Sequence, residues 1–255
     1  GVLSWSQIDE HVRKLLLAKY QTGLAKWKPV SIEGLAIRLN EKTDGLKKEI
    51  AEKAITLAKL DDKTAFPLPA GRSTVGIQQT IEGLNNPTQS FGNYALLEIG
   101  KNRNTAFAAA KRKNYNADVF MFDNSKSAAA ADSLLEQLKG YDKIIIALHE
   151  LPRFPANNFG ISNEVIRLVN TINTSTSSSF FIFGNPYAAK SFCEAKNIMI
   201  CYEDDAIVQE TAAKMLSGIL PTEGSLPVSV CPSLPAGTGI LLPAMTAHST
   251  DKKMS

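Results

Sequence analysis

Short runs of apolar residues alternate with longer segments of helical periodicity over residues 94–216. The runs are apolar at almost every position, which is typical of strands covered on both faces of a sheet. These runs are 94–99, 119–122, 144–148, 180–183 and 198–201, and the helical segments are 105–113, 128–138, 164–172, 188–195 and 206–216. This order predicts an α/β fold, namely a doubly wound, mostly parallel, flavodoxin-like sandwich of about six strands.

Two amphipathic helices are predicted before the first of these runs. Ser6 is placed to cap the first helix, and Thr43 or Asp44 begins the second. The apolar stripes are Ile8, Val12, Leu15, Leu16 and Leu24 on the first helix, and Leu46, Ile50, Ala54 and Leu57 on the second. Residues 66–71 contain two prolines and a glycine, which predicts an extended connector after the helices.

Changes of pattern divide the chain into three parts. We expect residues 1–70 to form a helical linker region, residues 71–240 the sandwich domain, and residues 241–255 a flexible tail. Within the domain, residues 71–93 predict a short element followed by a loop. Residues 226–230 predict the sixth strand, and Pro227 favours an edge position because a proline removes one ladder hydrogen bond.

Composition excludes several classes of function. The formal charge is +3, and the basic cluster 111–113 is interpreted as a solvated helix face, so we expect no nucleic-acid partner. No apolar run approaches the roughly 18 residues of a membrane span. Three cysteines without Cys-x-x-Cys spacing indicate neither a zinc site nor a disulfide framework, and we expect buried or half-buried thiols. No glycine-rich phosphate loop is present, so the sequence predicts no cofactor.

Ligand chemistry in such a sheet belongs at the carboxyl ends of the strands. Loop 149–161 is the richest connection there, with His149, Arg153, Asn157 and Asn158 as candidate saccharide-binding residues. Two interpretations stay open at this point. The polar side chains bind a sugar, or Arg153 and His149 fix the loop to its own sheet while the asparagines serve turn geometry.

Two further candidates for chemistry have structural interpretations. Glu150 lies on the opposite side of an extended chain from His149, so no local dyad is evident, and a hydrogen-bonded structural histidine is favoured over a catalytic one. The acidic run 203–205 precedes a helix, where carboxylates stabilise the exposed amides, and capping is the stronger explanation. Asp123 alone does not supply a magnesium site, and no metal site is predicted.

Several segments together resemble family 3 glycoside hydrolases. Residues 202–230 are similar to the end of the second domain of that family, with a Tyr-Glu-Asp triplet, an alanine-rich helix and a closing Leu-Pro-Val-Ser segment. Residues 8–24 resemble the exit from its catalytic barrel, and residues 51–68 resemble the entry to the second domain. Phe-Gly-Asn-Pro-Tyr at 183–187 and the loop at 153–160 look most similar to the β-N-acetylglucosaminidase branch.

The resemblance implies a retaining double displacement whose nucleophilic Asp belongs to an N-terminal (β/α)8 barrel that this chain does not contain. In the β-glucosidase branch the acid/base Glu comes from the loop after the third strand. Residues 153–158 lack a Glu at the matching place. In the N-acetylglucosaminidase branch a His-Asp pair in the barrel takes that role, so we assign no catalytic residue to this chain.

The sequence therefore predicts the C-terminal accessory domain of a family 3 glycosidase, a β-N-acetylhexosaminidase that is inactive without its barrel. The expected partners are the barrel of the same polypeptide and a carbohydrate at the domain interface. The resemblance implies a periplasmic or other extracytoplasmic location. The alternatives are a self-contained sugar-binding or scaffolding module and a flavodoxin-like enzyme that acts on a small molecule.

Overall fold

The computed structural model describes residues 3–68, 93–101 and 104–245 of the chain. The chain divides into two compact units, residues 1–43 and 44–255. The element expected at 71–93 lies outside the described residues except for Asn93, and residues 246–255 of the expected tail also lie outside them. Residues 44–68, which the sequence assigns to the linker region, belong to the larger unit.

The small unit consists of helices and turns. Helix α1 covers Trp5–Gln21 and helix α2 covers Leu35–Asn40. The predicted cap of α1 is wrong by two residues, because Ser4 Oγ accepts from the Gln7 N–H and the Gln7 side chain accepts from the Ser4 N–H, which forms a capping box. Neither helix has a buried residue. The large apolar residues that are exposed in the small unit are Leu3, Trp5, Val12, Leu15, Leu16, Leu17, Tyr20, Leu24, Trp27, Val30, Ile32, Ile37 and Leu39.

The larger unit is a doubly wound α/β sandwich, as predicted. Its elements in chain order are α3 (Thr43–Ala54), β1 (Thr56–Leu60), β2 (Tyr94–Ile99), α4 (Ala106–Tyr115), β3 (Asp118–Phe122), α5 (Ala128–Leu138), β4 (Lys143–Leu148), α6 (Asn163–Ser175), β5 (Ser177–Ile182), β6 (Asn197–Ile200) and α7 (Ala206–Leu216). The strand order is β1-β6-β5-β4-β2-β3. All neighbouring strands are parallel except β1 and β6.

The sixth strand is not the predicted one. β1 pairs antiparallel with β6 at the sheet edge, whereas residues 226–230 form no strand. Pro227 has no N–H, and the amides of Leu226 and Val230 donate outside the sheet, to Thr238 O and Leu234 O. Leu57, expected on a helical stripe, lies in β1 because α3 ends at Ala54.

Both faces of the sheet are covered by helices. Ile144, Ile146 and Leu148 of β4 pack into one apolar cluster with residues of α5 and α6. Ile145 and Ala147 belong to the cluster on the opposite face, which contains residues of α4 and α7. Alternate side chains of one strand therefore enter two cores, which explains why the sequence of the strand is apolar at every position.

Helix caps define the carboxyl edge of the sheet. Thr105, Ser127, Ser162 and Asp205 each accept a hydrogen bond from a backbone N–H in the first turn of α4, α5, α6 and α7. The α-helix expected at 188–195 is instead a 3-10 helix at Pro186–Phe192, which Asn185 caps. Every parallel strand thus opens at this edge into a loop that leads to a capped helical turn.

The cysteine prediction is wrong for two of the three residues and confirmed for Cys201. Cys193 and Cys231 form a disulfide that joins the 3-10 helix region to the segment after α7, and Cys201 is a free buried thiol. The two cysteines are 38 residues apart in the sequence. Their spacing contains no signal because the fold, and not a local motif, brings their Cα atoms to 6.8 Å.

The prediction that residues 111–113 form a solvated helix face is also wrong for Lys111. Lys111 is fully buried between α4 and α7, and its Nζ donates to Ala213 O at 3.0 Å. The ammonium group lies over the rings of Phe107 and Tyr115. Burial lowers the pKa of Lys111 well below its ordinary value.

Residues 241–245, the described part of the expected tail, are hydrogen-bonded to the domain. Leu242 forms a bridge with Thr222, and Met245 N donates to Gly218 O at 2.7 Å. Within the described part of the chain, no helix combines the length and apolar character needed to cross a membrane.

Candidate functional site at the carboxyl edge

A cleft of about 420 Å³ lies at the carboxyl edge, where the loops after β4, β5 and β6 meet. It is lined by Leu151, Arg153, Phe183, Gly184, Asn185, Pro186, Tyr202, Glu203 and Asp204. The chain reverses sharply at two of these loops. Glu150 and Tyr202 have φ of 56° and 67°, so each strand turns abruptly into its loop.

Loop 149–161 is fixed at both ends and exposed in its middle. Residues Asn157, Asn158 and Phe159 have φ between 51° and 56°, and Gly160 continues the left-handed turn. Two contacts hold this turn, because the Phe159 ring is buried and Asn158 Nδ2 donates to Ser191 Oγ at 3.2 Å. A left-handed turn with non-glycine residues persists only where its surroundings fix it.

Two charged side chains of the cleft have no partner among the residues that the structure describes. The Arg153 guanidinium and the Glu203 carboxylate form no hydrogen bond or ion pair with any described residue. Two aromatic rings on the same loops are exposed, since Phe154 is 73% exposed and Tyr187 is 46% exposed. This surface offers donors, an acceptor and flat apolar faces, which together suit a polyhydroxylated ligand.

His149 lies beneath this surface and pairs with two carboxylates. Its Nδ1 is 2.7 Å from Asp204 Oδ1, and its Nε2 is 3.3 Å from Glu98 Oε2. The second contact has the distance of an ion pair, but it lacks the alignment of a good hydrogen bond. The imidazole also stacks on Phe183, with ring centres 4.5 Å apart and planes 7° apart. Both Glu98 and His149 are almost fully buried.

The carboxylates keep His149 protonated. Burial alone lowers the pKa of His149, but the hydrogen bonds and charges of Asp204 and Glu98 outweigh it and raise the pKa from 6.5 to about 9. The histidine is therefore an imidazolium at neutral pH. It donates to Asp204 and leaves no ring nitrogen free to accept a proton.

The acidic run after β6 divides into three roles. Asp205 caps α7 by accepting from Val208 N at 3.0 Å, which confirms the capping interpretation for this residue. Asp204 does not cap the helix, because its oxygens accept from His149, from Glu150 N and from Gln209 Nε2. Glu203 faces the cleft.

The residues singled out by the sequence separate in space. Arg153 lines the cleft, His149 lies under its floor, and Asn157 and Asn158 sit in the left-handed turn that supports the loop. The dyad partner of His149, for which sequence reasoning found no candidate, is Asp204, 55 residues away. A signal existed, because His149 directly follows β4 and Asp204 lies in the loop after β6, at the same edge of one sheet. Among the described residues, no group of three or more His, Cys, Asp or Glu side chains has a metal-binding arrangement.

Solved structures of longer proteins share this fold, although no family model and no curated protein matches the sequence. A glycoside hydrolase family 3 β-N-acetylglucosaminidase from Paenibacillus sp. str. FPU-7 superposes with a TM-score of 0.57 at 16% identity, over 89% of this chain and 40% of that one. A β-glucosidase from Listeria innocua has a TM-score of 0.57 at 13% identity, over 88% of this chain and 32% of that one. A β-glucoside phosphorylase has a TM-score of 0.57 at 16% identity, over 89% and 39%.

The chain has the fold of one part of family 3 glycoside hydrolases. It spans about 40% of the length of the Paenibacillus enzyme and about a third of the Listeria enzyme. At 13–16% identity the likeness concerns the fold, and a shared fold does not by itself fix the reaction. This likeness of fold agrees with the resemblance to family 3 that residues 202–230 carry.

Proposed function

We propose that this chain is the accessory α/β-sandwich part of a family 3 glycosidase, that the complete enzyme acts on N-acetylglucosamine glycosides, and that this part, inactive alone, lends the cleft at its carboxyl edge to the substrate. One observation carries the proposal. Arg153 and Glu203 project into one cleft without a partner among the described residues, in a fold shared with part of such enzymes. Charged groups that the fold leaves unpaired are available to a ligand.

The four residues predicted from the sequence, together with Glu203, act in different ways in this proposal. Arg153 donates hydrogen bonds to sugar hydroxyls or to an acetamido carbonyl. Asn157 and Asn158 hold the left-handed turn that supports the loop. His149 contributes from beneath by fixing the loop that carries Arg153. Glu203 accepts from hydroxyls on the opposite side.

A (β/α)8 barrel in the same polypeptide is the proposed partner and the source of the reacting groups. The small unit supports this view, because apolar side chains such as Leu16 (58% exposed) and Trp27 (70% exposed) have no cover within it. The partial coverage of the longer enzymes also fits a second domain. In this division of labour the nucleophile and the acid/base belong to the barrel.

The proposed preference for N-acetylglucosamine over glucose is based on motifs in the sequence. The motifs at 183–187 and 153–160 resemble the N-acetylglucosaminidase branch, and two similar solved structures are β-N-acetylglucosaminidases. β-Glucosidases have the same fold, so the fold does not distinguish the two sugars, and the preference has to be measured with both substrates. The Cys193–Cys231 disulfide supports an extracytoplasmic location, since such bonds persist in oxidising compartments.

Hydrolysis of 4-nitrophenyl glycosides tests the proposal. The complete polypeptide should hydrolyse the N-acetyl-β-glucosaminide faster than the β-glucoside, and the 255-residue chain alone should hydrolyse neither. Activity of the chain alone would contradict the division of labour, and a complete polypeptide that prefers the glucoside would contradict the proposed specificity.

A self-contained sugar-binding module is the second candidate, which the unpaired groups of the cleft also favour. Calorimetric titration of the chain with N-acetylglucosamine separates the two. A self-contained module binds with measurable heat in the absence of any barrel, whereas an accessory half-site shows little or none.

A further inference from the structure

The charge cluster under the cleft belongs to a longer ring of contacts. Gln209 Nε2 donates to Asp204 Oδ1 at 2.8 Å, and Gln209 Oε1 accepts from Ala106 N at 2.8 Å. Thr105 Oγ1 donates to Glu98 Oε2 at 2.8 Å and accepts from Ala108 N at 2.9 Å. The ring therefore joins the start of α4, strand β2, the end of β4, the loop after β6 and the first turn of α7.

His149 is the member that closes this ring between two negative charges. Without the imidazolium, the buried carboxylate of Glu98 and the partly exposed carboxylate of Asp204 would have no cation between them. Glu98 Oε1 has no hydrogen-bond partner among the described residues, which increases its dependence on the nearby charge. Phe183 supports the cation from the side, because its ring face lies parallel to the imidazole.

Asp204 transmits the position of His149 to the cleft. Its Oδ1 contacts the histidine, and its Oδ2 accepts from Glu150 N at 2.8 Å. Glu150 has φ of 56° and is the residue at which loop 149–161 turns away from the sheet. Asp204 also lines the cleft, together with Arg153 three residues beyond that turn.

We propose that His149 is a positioning residue, whose imidazolium holds Asp204 against the turn at Glu150 and thereby sets where Arg153 stands in the cleft. The inference rests on the proposed function only in taking this cleft as the surface that meets the ligand. The role requires no proton transfer to a substrate. It differs from a purely packed histidine, because it makes the geometry of the cleft depend on the charge of the ring.

The groups around the imidazole allow this dependence. Glu98 on β2 and Asp204 after β6 are the acids that face it, and the carboxylate of Glu150 accepts from Lys101 N at 2.8 Å. The two acids are joined to α4 and α7 by neutral side chains, because Thr105 donates to Glu98 and Gln209 donates to Asp204. Burial raises the pKa of the Cys201 thiol well above its ordinary value, so this neighbour stays neutral while His149 titrates.

An NMR titration of the 255-residue chain, labelled with ¹⁵N, tests the inference without any sugar. We expect the His149 ring nitrogens to lose their proton with a midpoint near pH 9. The backbone amides of Glu150, Arg153 and Glu203 should shift with the same midpoint. A midpoint near 6.5, or cleft amides that ignore the titration, would overturn the inference.

Hydrogen exchange at the Glu150 amide gives a second readout at constant pH. His149→Gln should accelerate this exchange at least about tenfold, because Asp204 loses the group that fixes it. Asp205→Asn is the control, since Asn also caps helices and residue 205 does not contact the imidazole. Equal exchange in the two variants would contradict the positioning role. If His149→Gln does not fold, the titration of the unaltered chain still decides.

Discussion

The carboxyl edge of this sheet has a closed half and an open half. In the closed half, Glu98 and His149 are 1% and 3% exposed, and Asp204 joins them to the surrounding loops. In the open half, Arg153 and Glu203 line a cleft and meet no partner among the described residues. The same kind of strand-to-loop connection builds both halves. The charges of the closed half stabilise the fold, whereas those of the open half are available to a ligand.

Matched glutamine substitutions should show this difference most strongly. His149→Gln leaves the buried Glu98 carboxylate without the cation that lies between it and Asp204, and we expect the free energy of unfolding to fall by about 3–5 kcal/mol. Arg153→Gln removes an exposed, unpaired charge and should change it by less than about 0.5 kcal/mol. Urea unfolding measures both. Similar losses in the two variants would remove the distinction between the halves.

Stability should depend on pH through the closed half. The folded pKa of His149, about 9, exceeds its ordinary 6.5 because the hydrogen bonds and charges of Asp204 and Glu98 outweigh the effect of burial. The stabilisation is therefore fully present below pH 6.5 and is lost as the pH rises through 9. We expect a loss on the order of 3 kcal/mol from this group. Urea unfolding across this range should show the decline in the unaltered chain, and its persistence in His149→Gln would contradict the assignment.

The disulfide should stabilise the 3-10 helix region that forms one wall of the open half. Cys193 follows the 3-10 helix that begins at Pro186 in the cleft wall, and its bond to Cys231 closes a long loop. The Cys193→Ser/Cys231→Ser double variant should lose about 2–4 kcal/mol of unfolding free energy under oxidising conditions. In reducing buffer the variant and the unaltered chain should differ little. A difference that persists after reduction would point to packing of the cysteines instead.

The parallel sheet was predictable because a strand covered on both faces is apolar at consecutive positions, as in 144–148. The edge strand was not. Thr56–Leu60 is short and directly follows a helix, so its residues continue the helical pattern, and only pairing with β6 makes it a strand. The strand predicted at 226–230 was wrong for the opposite reason. Alternating residues of this segment contact the core, as in a strand, but the segment does not join the sheet.

The open half was more predictable than the closed half. Arg153 lies on a loop for which the sequence left a binding and a structural interpretation open, and the strand-end rule pointed to the loops after the runs 180–183 and 198–201, which do line the cleft. The pairing of His149 with Asp204 and Glu98 depends on which strands are neighbours. Sequence order does not give that arrangement, and the same holds for the disulfide and for buried Lys111.

The effect of Arg153 on substrate binding tests the central claim most directly. In the complete polypeptide, Arg153→Ala should raise KM for 4-nitrophenyl N-acetyl-β-glucosaminide about tenfold, as expected for loss of a hydrogen bond to a charged donor. Arg112→Ala is the control, because Arg112 is exposed near the end of α4, which lies at the opposite edge of the sheet. A KM that stays within about twofold in both variants would contradict the claim that the open half meets the sugar.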